Sequence, residues 1–165
     1  RFERANMSTS KSLTVGAALT LLLAAVSTSS TFAETVQKGE VTIEAPWARA
    51  SIGTARPAVA YLTIRNGGSQ TEKLTSVKAS ISGMAEVHKS TLTDGVARMG
   101  PVGGLEIPAG TEVKLKPGGL HIMLMKLKYP LKEGKKFTLA LIFKGAKSID
   151  VSVPILGIGA SGPAK

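Results

Sequence analysis

The chain contains no cysteine. That removes a disulfide framework, a thiolate zinc site, an iron–sulfur cluster and a cysteine nucleophile. It also removes a blue-copper centre, which needs a thiolate. Histidine is nearly as scarce: His88 and His121 are the only two among 165 residues. Aromatic residues make up 4%, and those beyond residue 33 (Trp47, Tyr61, Tyr129, Phe137 and Phe143) form no stacking stripe of the kind single-stranded nucleic acid uses. Acidic residues are few, 11 against 21 basic. No apolar run reaches the roughly 20 residues of a comfortable membrane-spanning helix.

What apolar run there is lies near the start. Arg1–Asn6 precede Met7, followed by Ser8-Thr9-Ser10-Lys11-Ser12, the apolar Leu13–Val26 and the small-residue stretch Ser27–Ala33. A positive residue, a short apolar segment and a small-residue end describe a secretory signal peptide. We expect cleavage after Ala33, with residues 1–33 as leader, 34–155 as one β-domain and 156–165 as a flexible tail. No cysteine follows the run, so a lipid-anchored N-terminus is not expected. Removing Arg1, Arg4, Lys11 and Glu3 with the leader leaves 18 basic and 10 acidic residues, a net charge of +8 against +10 for the whole chain. Export argues against nucleic acid as the reason for that charge. Lysines 126, 128, 132, 135 and 136 gather around Tyr129-Pro130, either as a solvated face or as a docking surface for an acidic partner.

Beyond residue 33 no stretch keeps a 3.6-residue apolar period, whereas period-2 alternation and β-branched residues are common. Strands are expected at Glu40–Ile43, Ala58–Arg65, Leu74–Ala79, Ala85–Thr91, Val96–Pro101, Glu112–Leu115, Leu120–Lys126, Phe137–Phe143 and Ile149–Val153. Turn signals separate them: Asn66-Gly67-Gly68, Asp94-Gly95, Pro108-Ala109-Gly110, Pro117-Gly118-Gly119 and Gly134. Many short strands with frequent turns imply an all-β antiparallel sandwich or barrel.

The residues with chemistry are Met84, His88, Met99, His121, Met123 and Met125. In Leu120-His121-Ile122-Met123-Leu124-Met125, strand alternation sends Leu120, Ile122 and Leu124 to one face and His121, Met123 and Met125 to the other. His121 and Met123 are then about 7 Å apart at Cα, within reach of one ion. Asp94-Gly95 is a two-residue hairpin signal. If it forms the loop, Ser90 pairs with Met99 and His88 becomes the diagonal neighbour of Met99. Two nitrogen-plus-sulfur pairs make a His2Met2 set. Thioethers are soft and neutral and select Cu(I) over zinc, calcium or magnesium. Methionine is also an ordinary core filler, and Met84 and Met125 fit a covering or core role as well as a ligand role. Trp47 reads as a structural plug and Gly118-Gly119 as the tight turn before the His121 strand. With both histidines committed, hydrolysis has no evident base.

The spacing His88-x10-Met99-x21-His121-x-Met123 resembles the signature of the periplasmic PCu(A)C-type copper chaperones. So do Ala45-Pro46-Trp47-Ala48-Arg49-Ala50, Ala60-Tyr61-Leu62-Thr63-Ile64, Leu105-Glu106-Ile107-Pro108-Ala109-Gly110 and Pro117-Gly118-Gly119-Leu120-His121-Ile122-Met123-Leu124-Met125. The resemblance spans about residues 40–155. It implies a cupredoxin-like Greek-key β-barrel that holds Cu(I) near its surface and delivers copper to the copper centre of cytochrome c oxidase. Some members carry a His/Met-rich C-terminal extension associated with Cu(II); Ile155–Lys165 has neither residue. The expectation is therefore a monomeric periplasmic Cu(I) chaperone, not an enzyme. It would hold its ion at an exposed rim through His88, Met99, His121 and Met123. It would hand the ion to an oxidase copper-site subunit or another copper chaperone. The rivals are a secreted β-sandwich binding or adhesion module with no metal role, and a copper enzyme or electron carrier.

Overall fold

The computed structural model describes residues 34–144 and 147–163. The expected leader and its cleavage point lie outside the described residues. Within them the chain forms eleven strands and no helix: β1 Thr35–Lys38, β2 Val41–Arg49, β3 Ala58–Asn66, β4 Glu72–Ala79, β5 Ser82–Thr93, β6 Val96–Pro101, β7 Leu105–Ile107, β8 Glu112–Leu115, β9 Leu120–Leu127, β10 Lys136–Phe143 and β11 Lys147–Leu156. Nine occur where alternation placed them. β1 and β7 were not foreseen, the first because it is polar and exposed at an edge, the second because three residues carry too little pattern.

The main path of the sheet runs β6-β5-β9-β3-β2-β11-β10-β4-β7, with β1 added beside β2 and β8 beside β3. Every pairing is antiparallel except β11 with β2, which is parallel through Ile155↔Ala48 and Leu156↔Arg49. The all-β reading holds, with one parallel joint where a purely antiparallel sheet was expected. The two halves of this path close over one core: Ile43, Leu62, Ile64, Ile122 and Leu124 from one half pack with Leu74, Leu139, Leu141, Val151 and Val153 from the other. Alternate residues along each strand point inward, so apolar burial fixes which face is which.

β2 runs past the expected end at Ile43 through Pro46, a residue that argues against a central strand. A bulge accommodates it: the β2–β3 register shifts between Glu44 and Trp47, and Ala45 takes φ 49°. The result restarts pairing at Trp47↔Tyr61 and Ala48↔Ala60. The buried Asn66 anchors the turn after β3. Its side-chain amide donates to Gln70 O and Ile107 O and its Oδ1 accepts from Gly68 N–H, leaving no polar group of that side chain unpaired. The start of the expected flexible tail is tied down: Arg49 Nε donates to Ala160 O at 2.7 Å.

Candidate metal centre

The Asp94-Gly95 hairpin forms in the expected register. Asp94 and Gly95 both have positive φ (52° and 77°), the backbone of a two-residue turn whose twist matches the strands it joins. Thr93 therefore pairs with Val96 and Ser90 with Met99, while His88 sits opposite Pro101. Met99 is thus diagonal to His88 on one face, as the spacing implied.

The pairing of β5 with β9 was not legible locally, and it decides the site. His88 lies directly opposite His121, Glu86 opposite Met123, and Met84 opposite Met125. Paired residues share a face, so the two nitrogen-plus-sulfur pairs merge into one patch: Met99 on β6, His88 on β5, and His121 and Met123 on β9. The imidazole centroids are 6.0 Å apart and tilted by 42°. Val87, Ile122 and Leu124 fill the opposite, core-facing side.

Each imidazole is held by one nitrogen and free at the other. His121 Nδ1–H donates to Gly119 O at 3.0 Å, and His88 Nε2–H donates to Glu86 Oε2 at 3.3 Å. Those bonds fix the tautomers and leave lone pairs on His121 Nε2 and His88 Nδ1. Both of these atoms are buried without a hydrogen-bond partner. An unpaired buried polar atom costs on the order of 1–3 kcal/mol, and the two residues that carry them pair directly across β5 and β9. Glu86 and the Gly119 carbonyl were not singled out from the sequence. Their only signal there is position, each two residues before a histidine. The turn at Gly118 (φ 80°) aims that carbonyl.

The expectation of an exposed rim needs correction. His88 and His121 are only 9% and 4% exposed, whereas Met99 is 54% exposed and Met123 is half-buried. Strand alternation takes a side chain off the core face but does not report what covers it. One cover is aromatic. The register that pairs Ala60 with Ile122 puts Tyr61 on the face of His121, and Trp47, its partner across β2–β3, packs on it at 4.5 Å. Trp47 is thus a buried residue of this face, 5% exposed. The Arg49 guanidinium lies 6.0 Å from the Trp47 ring and 5.7 Å from the Tyr61 ring, a cation–π arrangement. Burial raises the Tyr61 phenol above its ordinary value, and nearby Arg49 partly offsets this.

The lysine cluster does not adjoin the imidazoles. His121 is the second residue of β9 while Lys128 follows its far end, on the order of 20 Å away for an extended segment. Lys126 and Lys128 instead flank the Met84–Met125 pair. Among the described residues, no three His, Cys, Asp or Glu side chains gather as a hard-ligand site. The donor set is imidazole plus thioether, which favours a soft cation.

A family model described as "Putative lipoprotein LpqE-like" matches residues 41–155. The "Putative lipoprotein Lxx21020" of Leifsonia xyli subsp. xyli is 33% identical over 120 residues, covering 72% of this chain and 71% of that protein. Among solved structures, the apo PCuAC domain from PmoF1 aligns with a TM-score of 0.64 at 25% identity, over 75% of this chain and 99% of that one. The solution structure of CuI-DR1885 from Deinococcus radiodurans aligns with a TM-score of 0.57 at 28% identity, over 75% and 81% of the two chains.

Proposed function

This chain belongs to the LpqE-like family, and from that footing we propose that it is a Cu(I) metallochaperone of the cell envelope. The observation that carries the reading is the facing pair His88–His121, each with a buried, unpartnered ring nitrogen, flanked on the same face by the thioethers of Met99 and Met123. These four side chains are the ligands. All are neutral and none is a thiolate, so the set suits Cu(I) in an oxidising compartment where thiols would be lost to disulfides. The likeness to PCuAC domains, one of them solved with Cu(I), supports the same cargo.

The protein performs no chemistry on the ion. His88 and His121 hold it from a preformed, buried position. Met99, more than half exposed on the β5–β6 hairpin, is the ligand an incoming partner reaches first. Release proceeds by stepwise exchange of ligands, beginning at Met99 and ending at the imidazoles. The recipient is a copper-site subunit of cytochrome c oxidase or another copper chaperone, and the compartment is the periplasm, reached through the leader expected in residues 1–33.

Titration of residues 34–165 with Cu(I) under reducing conditions, followed by X-ray absorption, tests the reading. We expect one Cu(I) per chain in a mixed nitrogen and sulfur shell. A shell of nitrogen and oxygen alone, or no binding in competition with a Cu(I) chelator, overturns it.

A further inference from the structure

β5 and β9 carry a longer row of soft donors than the four-ligand set uses. Their register stacks three rungs on one face: His88 opposite His121, Glu86 opposite Met123, and Met84 opposite Met125. Successive rungs are about 7 Å apart. Met84 and Met125 face one another directly, a geometry that brings Cβ atoms to about 4.5–5.5 Å. Met123 precedes Met125 by two residues on the same face. A methionine side chain has three rotatable bonds, so three sulfurs can meet above this last rung.

The rung is not core. The inward residues of these strands are Val87, Ile122 and Leu124, and Met84 is 39% exposed. The row also ends there. Lys126 takes φ 53°, and beyond it Leu127 turns into the core. The buried imidazoles therefore have an exposed thioether on either side, Met99 on the hairpin and Met84 on the last rung.

We propose that Met84, Met125 and Met123 form a second, all-thioether site for a soft monovalent cation, Cu(I) or Ag(I). This site is the solvent-side landing point from which the ion reaches the histidine pair. The site itself stands on the thioether geometry alone; the relay to His88 and His121 rests on the Cu(I) reading given above. Met123 belongs to both sites. An ion keeps its bond to the Met123 sulfur while the bonds to Met84 and Met125 break and bonds to His121 Nε2 and His88 Nδ1 form. Those nitrogens already carry lone pairs, so no proton leaves and the oxidation state is unchanged. The Glu86 carboxylate, on the middle rung, provides negative charge midway along the path.

Silver(I), which is redox-silent, is the probe, added to residues 34–165 labelled at the methionine methyls. In the double variant His88→Leu/His121→Leu, sub-stoichiometric Ag(I) is expected to shift the methyl resonances of Met84, Met123 and Met125 together. The further changes Met84→Leu and Met125→Leu, which remove two of the three sulfurs, are expected to abolish the shift of the remaining Met123 methyl. Unmoved Met84 and Met125 methyls in the histidine double variant overturn the second site. Movement there, with Met99 unmoved in the unsubstituted protein, keeps this site and removes the four-ligand one. The relay has its own measurement. Met84→Leu/Met125→Leu should slow Cu(I) loading from a small chelator by about tenfold, a change within the range single surfaces span, while leaving the equilibrium affinity of the histidine site unaltered. An unchanged loading rate refutes the landing role.

Discussion

Replacing His121 with leucine separates a ligand from a structural residue. His121 is 4% exposed and makes one hydrogen bond, from Nδ1–H to Gly119 O. Its loss costs a net of about 1 kcal/mol. It does not orphan the carbonyl, because Gly119 O also accepts from Ser90 N–H at 3.1 Å. Against that loss, leucine removes the buried, unpartnered Nε2, whose desolvation costs about 1–3 kcal/mol. The metal-free variant should therefore be as stable as the parent or up to about 2 kcal/mol more stable. The midpoint of thermal unfolding would rise by no more than about 8 °C. With Cu(I) buffered at about a thousand times its dissociation constant, the parent should gain about 4 kcal/mol and the variant almost none. Paired thermal or urea unfolding, with chelator and with buffered Cu(I), reads both effects. If the metal-free variant loses about 3 kcal/mol or more, as removal of a buried structural side chain does, the imidazole is part of the scaffold and the reasoning fails.

Met99→Ala should leave metal-free stability within about 0.5 kcal/mol, because its side chain is exposed, yet weaken Cu(I) binding. Met123→Ala, half-buried, should weaken binding and also lower the unfolding midpoint, which denaturation beside a competition titration will show. Gly95→Ala forces a side chain onto a backbone with φ 77° at a cost of about 1 kcal/mol; because the hairpin places Met99, Cu(I) affinity should fall with it. The Tyr61 phenol, raised by burial, is neutral in the folded state over the range where an unfolded tyrosine ionises. Its contribution to stability is present below the ordinary tyrosine range and is lost as pH climbs through the raised value. Tyr61→Phe should remove that alkaline loss in a pH series of unfolding curves. Charge reversal at Lys128, Lys132 and Lys135 should mimic added salt by slowing transfer involving an acidic partner while leaving affinity for a small neutral chelator unchanged.

Much of this architecture was legible because its signals are local. The alternation in Leu120–Met125 fixed which side chains leave the core, and Asp94-Gly95 fixed the Ser90–Met99 register to the residue. The aspects that escaped are those set by long-range pairing. No local pattern says that β5 lies beside β9, so the direct opposition of His88 and His121, and that of Met84 and Met125, had to come from the sheet. Burial escaped for the same reason. Alternation puts His121 on the face opposite Ile122 but does not show that Tyr61 and Trp47 come to that same face from other strands. Pro46 hid the length of β2, since the bulge that accommodates it arises from backbone geometry at Ala45 rather than from a turn motif.

The position of β11 bears on how the protein is made. It is the strand nearest the C-terminal end of the described residues, and it lies in the middle of the sheet, joined to β10 on one side and to β2 on the other. Without it the path falls into β6-β5-β9-β3-β2 and β10-β4-β7, each with an apolar face open to water. Its pairing with β2 spans more than 100 residues of chain, the kind of closure that slows folding. A chain emerging from its N-terminus therefore cannot complete its core until residues 147–156 arrive. Until then neither half of the path can cover the apolar face of the other, so the ten residues of β11 set the moment at which the core closes.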